Sequence, residues 1–308
     1  MGRMVAAVRK LGFDYVFDTD FAADMTIMEE GTELLHHLKE EPVQPMFTSC
    51  CPGWVRFLKA KHPSLVKHLS TTKSPQQIFG AIAKNYYAEI LGVDPAKIAV
   101  VSIMPCVAKK AECAYEDMDT TGTGPDVDVV LTTRELGRML KAQFINVRNL
   151  PEEEFDMPLG EATGAGHIFG ATGGVMEAAL RSAPFLVTGE NPDPEVTYNL
   201  AGKELTVAIV SGLQNADNLC NAIENGEVDY DFVEVMACPG GCVGGGGQPI
   251  HEGRECAAER ELILRDIDTN SKLRFSNEKY FGEPNSEKAE QLLHSDHFAW
   301  GMPAARQQ

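Results

Sequence analysis

Val233-Glu234-Val235-Met236-Ala237-Cys238-Pro239-Gly240-Gly241-Cys242-Val243-Gly244-Gly245-Gly246-Gly247-Gln248-Pro249 is the stretch on which the reading of this chain turns. Its approach, Tyr230 to Met236, is a short apolar run bounded by turn residues and reads as a buried strand. Cys238 and Cys242 follow four positions apart, so two thiols stand where a strand ends and a loop begins. In open α/β sheets that is where ligands sit. Six glycines fill the eight positions from Gly240 to Gly247. Glycine loses more backbone entropy on folding than any other residue, so this density marks a linker or a backbone that closes tightly on something bulky. A linker rarely follows a core strand and does not carry Cys-x-x-x-Cys, which favours close approach.

Two other strands end the same way. Pro45-Met46-Phe47-Thr48 runs into Ser49-Cys50-Cys51-Pro52, and Lys97 to Met104 runs into Pro105-Cys106. Between and beyond them helices alternate with strands: Ala22 to Lys39, Pro52 to about His62, Ser74 to Ile90, Arg134 to Gln143, Val175 to Arg181 and Asn215 to Asn225. Tyr15-Val16-Phe17, Asp128 to Leu131 and Leu205 to Val210 read as further strands. The alternation predicts an α/β fold of two lobes, each a small, mostly parallel sheet flanked by helices. Residues 1–250 are expected to form that domain, in lobes of about 1–150 and 151–250, with 251–308 a helical, polar tail packed on it.

The bulk composition excludes several classes. With 308 residues and 44% hydrophobic content the chain buries a substantial core. A formal net charge of -18 argues against nucleic acid and against an anionic membrane surface as partners. No apolar run reaches the length of a membrane span, and no secretory pattern opens the chain, so a cytoplasmic location is expected. Eight cysteines are too sparse for a disulfide scaffold at this length, and clustered thiols in a reducing compartment read as metal or redox groups. Loops at strand C-termini converge on one crevice, which gathers Cys50, Cys51, Cys106, Cys238 and Cys242. Four of them can hold a [4Fe-4S] cube. Zinc is the alternative, but its structural sites use compact cysteine pairs with a second pair or histidines, and no histidine here has that spacing.

Three signatures carry a resemblance. They are Thr48-Ser49-Cys50-Cys51-Pro52-Gly53-Trp54, Met104-Pro105-Cys106-Val107-Ala108-Lys109-Lys110-Ala111-Glu112, and the stretch from Glu234 to Pro249. In order and complete, they resemble those of the [FeFe]-hydrogenase catalytic domain, in a short form without accessory ferredoxin-like domains. Ser74-Pro75-Gln76-Gln77-Ile78-Phe79-Gly80 and Ala171 to Arg181 are similar to the family as well. The resemblance implies reversible interconversion of 2H⁺ and 2e⁻ with H₂ at a six-iron H-cluster. A [4Fe-4S] cube would be held by Cys51, Cys106, Cys238 and Cys242. Cys242 would bridge to a diiron subsite carrying CO, cyanide and azadithiolate. Lys109 matches the lysine that donates to a cyanide, with Glu112 its charge partner. Met104, Met236, Phe169, Gln76 and Gly170 match residues that line the diiron pocket.

The same resemblance implies a proton relay from Cys50 through Glu30 and Ser70 to Glu33. Read without it, Glu30 and Glu33 share one face of a helix and are equally an ordinary solvated stripe. Where the family has an arginine near the relay's outer end this chain has His37, which makes proton uptake pH-sensitive. Implied partners are H₂ and protons, ferredoxin or a similar electron carrier, and dedicated maturation enzymes. Arg56, Lys59, Lys61, Lys67 and Lys73 are the densest cationic candidates for docking an acidic carrier. The alternatives are a low-turnover H₂- or redox-sensing relative and a non-catalytic iron–sulfur assembly-type protein.

Overall fold

The computed structural model describes residues 1–39, 45–156, 161–191, 205–251, 253–278 and 286–302. In chain order its helices and strands are α1 (Gly2–Lys10), α2 (Asp20–Lys39), β1 (Met46–Phe47), α3 (Pro52–Lys61), α4 (Pro75–Ile82), α5 (Ala88–Leu91), β2 (Val101–Met104), α6 (Lys109–Glu112), β3 (Val129–Thr132), α7 (Thr133–Ala142), α8 (Gly164–His167), α9 (Gly174–Thr188), β4 (Val207–Ser211), α10 (Leu213–Glu224), β5 (Phe232–Met236), α11 (Ala257–Asn270) and α12 (Glu287–Leu293).

β5 is the pivot. It lies between β1 and β4 in a three-stranded parallel sheet, with Met46 opposite Phe232 and Ser211 opposite Met236. All five of its residues are buried, as a parallel strand covered on both faces requires. Its side chains alternate with the period of two. Phe232 and Met236 enter the core formed with α2 and α9, whereas Val233 and Val235 enter the core beside α3 and α10. Glu234 shares the first face, where apolar chemistry alone would forbid it. Its carboxylate accepts the N–H groups of Gly173 and Met176 at 2.7 Å each, capping the N-terminus of α9.

β2 and β3 form a second, two-stranded parallel sheet, registered from Val101–Val129 to Met104–Thr132. The sheets do not divide the chain near residue 150. β1 comes from the first part of the sequence and pairs with a strand from the last third. Tyr15-Val16-Phe17 joins no ladder. Val16 N–H donates to the Asp156 carboxylate at 2.8 Å, and the two aromatic rings pack against Tyr87 and Phe79. The helix expected over Ser74–Ile90 is interrupted by a π turn at Ala83–Tyr87 between α4 and α5.

α2 runs through the interior, packed on α4, α8 and α9, with thirteen buried residues from Phe21 to Leu34 that include Glu29, Glu30 and Glu33. Described segments of residues 251–308 contact the rest of the chain. Arg260 of α11 donates to the carbonyls of Val243 and Pro249 at 2.8 and 2.7 Å, clamping the glycine-rich loop. α12 lies against α4, and His294 bridges to Thr72. Residues 252, 279–285 and 303–308 of that tail lie outside the described residues. No helix among the described residues is long and apolar enough to cross a membrane.

Candidate active site

Each of the three sheet exits turns toward one place. β1 leads to Cys50 and Cys51, with Pro52 opening α3 where its missing N–H costs nothing. β2 leads through Pro105 to Cys106, and β5 through Ala237 to Cys238. Their proximity is read from Gly53: a Cβ there would lie 3.0 Å from Ala237, 3.9 Å from Ala108 and 4.0 Å from Cys51 Sγ. Cys51 Sγ also accepts the Ala237 N–H at 3.4 Å. The glycine loop then closes on the Cys106 turn. Gly247 N–H donates to Pro105 O at 2.8 Å, and a Cβ on Gly245 would collide with that same carbonyl. Gly241, at φ 84°, packs so closely on Ala171 and Thr172 that any side chain is excluded. The glycines therefore serve close approach, not flexibility.

Cys51, Cys106, Cys238 and Cys242 interact electrostatically with one another in this pocket. Burial pushes the thiols of Cys51, Cys238 and Cys242 upward, and their neighbouring sulfurs add to it. Buried thiols that resist ionising alone become thiolates when a cation supplies the missing charge. Among the described residues, no three of these sulfurs lie within 4.8 Å of one another. A single tetrahedral zinc, with bonds of about 2.3 Å, needs its sulfurs closer than that. A polynuclear cluster that binds each thiolate at its own corner fits the four residues. The donor set and the closed glycine cradle suit a [4Fe-4S] cube.

Cys50 points elsewhere. It is buried in the α2–α9 core with Phe169, Met176 and Met236, and Cys51 and Cys242 flank the same cluster. Its thiol is raised well above the usual range, first by burial and then by the Glu30 charge. Glu30 is 1% exposed, and neither carboxylate oxygen makes a hydrogen bond, although Ser49 N–H and the Ser70 hydroxyl face it. Burial, reinforced by Glu33, raises its pKa to about 8. The Ser70 hydroxyl is committed to Glu33 Oε2 at 2.6 Å, and Thr71 N–H donates to Glu33 Oε1 at 2.9 Å. Cys50, Glu30, Ser70 and Glu33 thus form one buried line, and the reading of Glu30 and Glu33 as a solvated stripe is excluded.

Lys109 is 7% exposed, and its ammonium reaches Glu112 Oε1 and Oε2 at 2.9 and 3.0 Å and Cys50 O at 3.0 Å. Glu112 is held in turn by Ser74 at 3.0 Å and Gln76 Nε2 at 3.1 Å, while Gln76 Oε1 accepts from Ser102 at 2.9 Å. A buried cation beside the thiols suits an anionic ligand, provided that one of these N–H bonds is exchanged. Gly170 places its Cα where a Cβ would lie 4.0 Å from that of Cys242. Met104 stands half-buried on β2, two residues before Cys106, and is not part of the apolar cluster that holds Met236 and Phe169. His37 makes no hydrogen bond through its buried Nδ1. Sequence reasoning missed Glu29, Thr71 and His294, which adjoin Glu33; a histidine far along the tail gives no local signal of it.

Comparison with known proteins follows this geometry. Residues 1–246 match the family described as "Iron only hydrogenase large subunit, C-terminal domain". The chain is 48% identical to the NADP-reducing hydrogenase subunit HndD of Solidesulfovibrio fructosivorans over 96% of its own length and 55% of that protein's. It is 42% identical to iron hydrogenase 1 of Clostridium pasteurianum, covering 95% of this chain and 56% of that one. It therefore spans about half the length of these curated relatives. The fold is similar to that of apo [FeFe]-hydrogenase HydA1 from Chlamydomonas reinhardtii, with a TM-score of 0.80 and 38% identity, over 96% of this chain and 86% of that one. With the family matched across most of its length and the fold alike, the chain belongs to the iron-only hydrogenase large-subunit family, through its C-terminal domain.

Proposed function

We propose that this chain is the catalytic domain of an [FeFe]-hydrogenase, interconverting two protons and two electrons with H₂. Cys51, Cys106, Cys238 and Cys242 would hold the [4Fe-4S] cube, and Cys242 would bridge it to a diiron subsite bearing CO, cyanide and azadithiolate. When bound, that six-iron group supplies the redox chemistry at which protons and electrons meet. The chain's own part is to hold it, keep water out and carry protons. Met236 and Phe169 present apolar walls from the α2–α9 core. Lys109 offers the buried cation for a cyanide, with Glu112 keeping the pair neutral. Met104, Gln76 and Gly170 complete the lining.

The observation that carries this reading is the division of labour among adjacent thiols. Cys51 joins the cluster pocket while Cys50 faces a buried Glu30, from which Ser70 and Glu33 lead away. A thiol and a carboxyl that both hold their protons at neutral pH suit a relay, since each can release one inward and accept one from behind. Retention of this line counts against a low-turnover sensor and against a non-catalytic assembly protein. Electrons would come from ferredoxin or a similar carrier, the diiron unit from dedicated maturation enzymes, and the working compartment would be the cytoplasm. The test is anaerobic iron reconstitution, loading with a synthetic diiron unit, and H₂ evolution from reduced methyl viologen, with infrared spectra of the same sample. CO and cyanide bands with turnover support the reading. Bands without turnover overturn the catalytic part, and a [4Fe-4S] signal with no bands overturns the diiron part.

A further inference from the structure

The outer end of the buried carboxylate line meets a histidine from the far end of the chain. Glu33 Oε1 accepts the Thr71 N–H at 2.9 Å, and the Thr71 hydroxyl lies 3.2 Å from the same oxygen. That hydroxyl is 2.7 Å from His294 Nδ1, and His294 Nε2 is 3.1 Å from Glu29 Oε2. Glu29 is 0% exposed and His294 8%, but Glu290, whose Oε2 stands 3.9 Å from that same Nδ1, has a side chain 62% exposed. Hydrogen bonds thus join Glu33 to His294 through Thr71, and His294 stands within ion-pair distance of the exposed Glu290.

Hydrogen-bond directions follow from the donors available. With Glu29 Oε2 as acceptor of the Nε2–H, Nδ1 carries the exchangeable hydrogen. Thr71 has one hydroxyl hydrogen. When the imidazole is neutral, Nδ1 takes that hydrogen, and the hydroxyl cannot also donate to Glu33. When the imidazole is protonated, Nδ1–H donates to Thr71 Oγ1, and the hydroxyl hydrogen turns to Glu33 Oε1.

We infer that the Glu29–His294 dyad, with Thr71, is the proton-entry unit of the relay; this rests on the reading of Cys50, Glu30, Ser70 and Glu33 given above. In one step the Nδ1–H bond breaks as a Thr71 Oγ–H bond forms, while the earlier Oγ–H bond breaks as Glu33 Oε1–H forms. One proton moves from imidazolium to carboxylate and no electron changes hands. Glu290 or water then returns a proton to Nδ1, and H₂ oxidation runs the sequence backwards. Glu29 acts as a positioning residue that fixes the tautomer.

The surroundings set the pH at which this unit works. Glu29 and Glu33 face His294 from α2, and Glu290 from α12. α4, which packs on α12, has no charged side chain. Burial alone would favour neutral imidazole, but these carboxylates outweigh it and hold the His294 pKa above its ordinary value. His294 is therefore cationic below that pKa, and proton delivery falls as pH rises through it. His37, the imidazole that the sequence places at the outer end, has no hydrogen bond to Glu33 among the described residues.

The test uses the full chain. In the cluster-loaded protein, Thr71→Val, which keeps shape but removes the hydroxyl, lowers H₂ evolution about a hundredfold, the low end of what a positioned proton donor contributes. Thr71→Ser restores most of it. His294→Gln removes the alkaline fall in the pH–rate profile, whereas His37→Gln leaves that fall where it was. Without the diiron unit, histidine NMR of the same chain finds His294 titrating above an ordinary imidazole and shifted down in Glu33→Gln. Wild-type turnover in both T71V and H294Q, or an alkaline fall that follows His37, overturns the inference. If the loaded wild type has no CO or cyanide bands, the site reading fails instead. The NMR arm still decides whether His294 is coupled to the relay, because a His294 titration indifferent to Glu33→Gln removes that coupling.

Discussion

Glu30 combines three properties that rarely coincide: full burial, no hydrogen bond and a pKa of about 8 against an ordinary value of 4.5. The folded chain therefore binds a proton that the unfolded chain has released between those two pH values. Stability is favoured below 4.5, and falls as pH rises toward 8, by up to about 1.4 kcal/mol per pH unit from this residue alone. Glu30→Gln removes that slope, which chemical denaturation of the apo chain at pH 5 and pH 8 will measure. In the loaded enzyme the same substitution lowers turnover by at least about 10²-fold, because an amide cannot pass a proton on. The thiols and their partners were legible because each followed an apolar strand. The status of Glu30 was not, since Glu29-Glu30-Gly31-Thr32-Glu33 reads as solvent-facing until α4, α8 and α9 are known to enclose it. His294 was illegible for a related reason: its partner Thr71 is 223 positions away.

β5 illustrates how an element reconciles local chemistry with the fold. Its apolar, turn-bounded run reads as a buried strand, yet a glutamate stands at its centre. The resolution lies in α9, whose first turn needs acceptors and finds them in Glu234. Burial raises the Glu234 pKa while the helix N–H groups pull it down, so the carboxylate is stabilised only by this docking. Glu234→Ala leaves two buried N–H groups unpaired and costs about 2–4 kcal/mol, read as a lower denaturation midpoint of the apo chain; Glu234→Gln costs less, because it still accepts. Tyr15-Val16-Phe17 is the converse. Aromatic and β-branched residues favour a strand, yet their rings meet Tyr87 edge-on and Phe79 at a tilt, and Val16 spends its N–H on Asp156.

Over the whole molecule, a charge of -18 bears on the proposed docking of an acidic electron carrier. Two of the five cationic candidates are withdrawn by the fold. Lys73 is 2% exposed beside Asp126, and Lys59 lies 3.5 Å over the Trp300 ring while donating to its carbonyl at 2.6 Å. Lys61 and Lys67 remain exposed, with Arg56 half-buried. If this face receives ferredoxin, Lys61→Glu with Lys67→Glu raises its apparent KM by roughly three- to tenfold at low ionic strength and little at high salt. An unchanged KM moves the carrier to another face. The α/β class was readable from the alternation of elements, but the partition was not, because a two-residue strand has no pattern that names its neighbour. That pairing bears on the order of biosynthesis. β1, which sets the Cys50–Cys51 turn, has β5 as its strand partner, and β5 ends at Met236. A nascent chain therefore exposes its first cysteines long before it can shape their pocket, so iron must be delivered after most of the polypeptide has left the ribosome, and an earlier arrival meets thiols with no cradle.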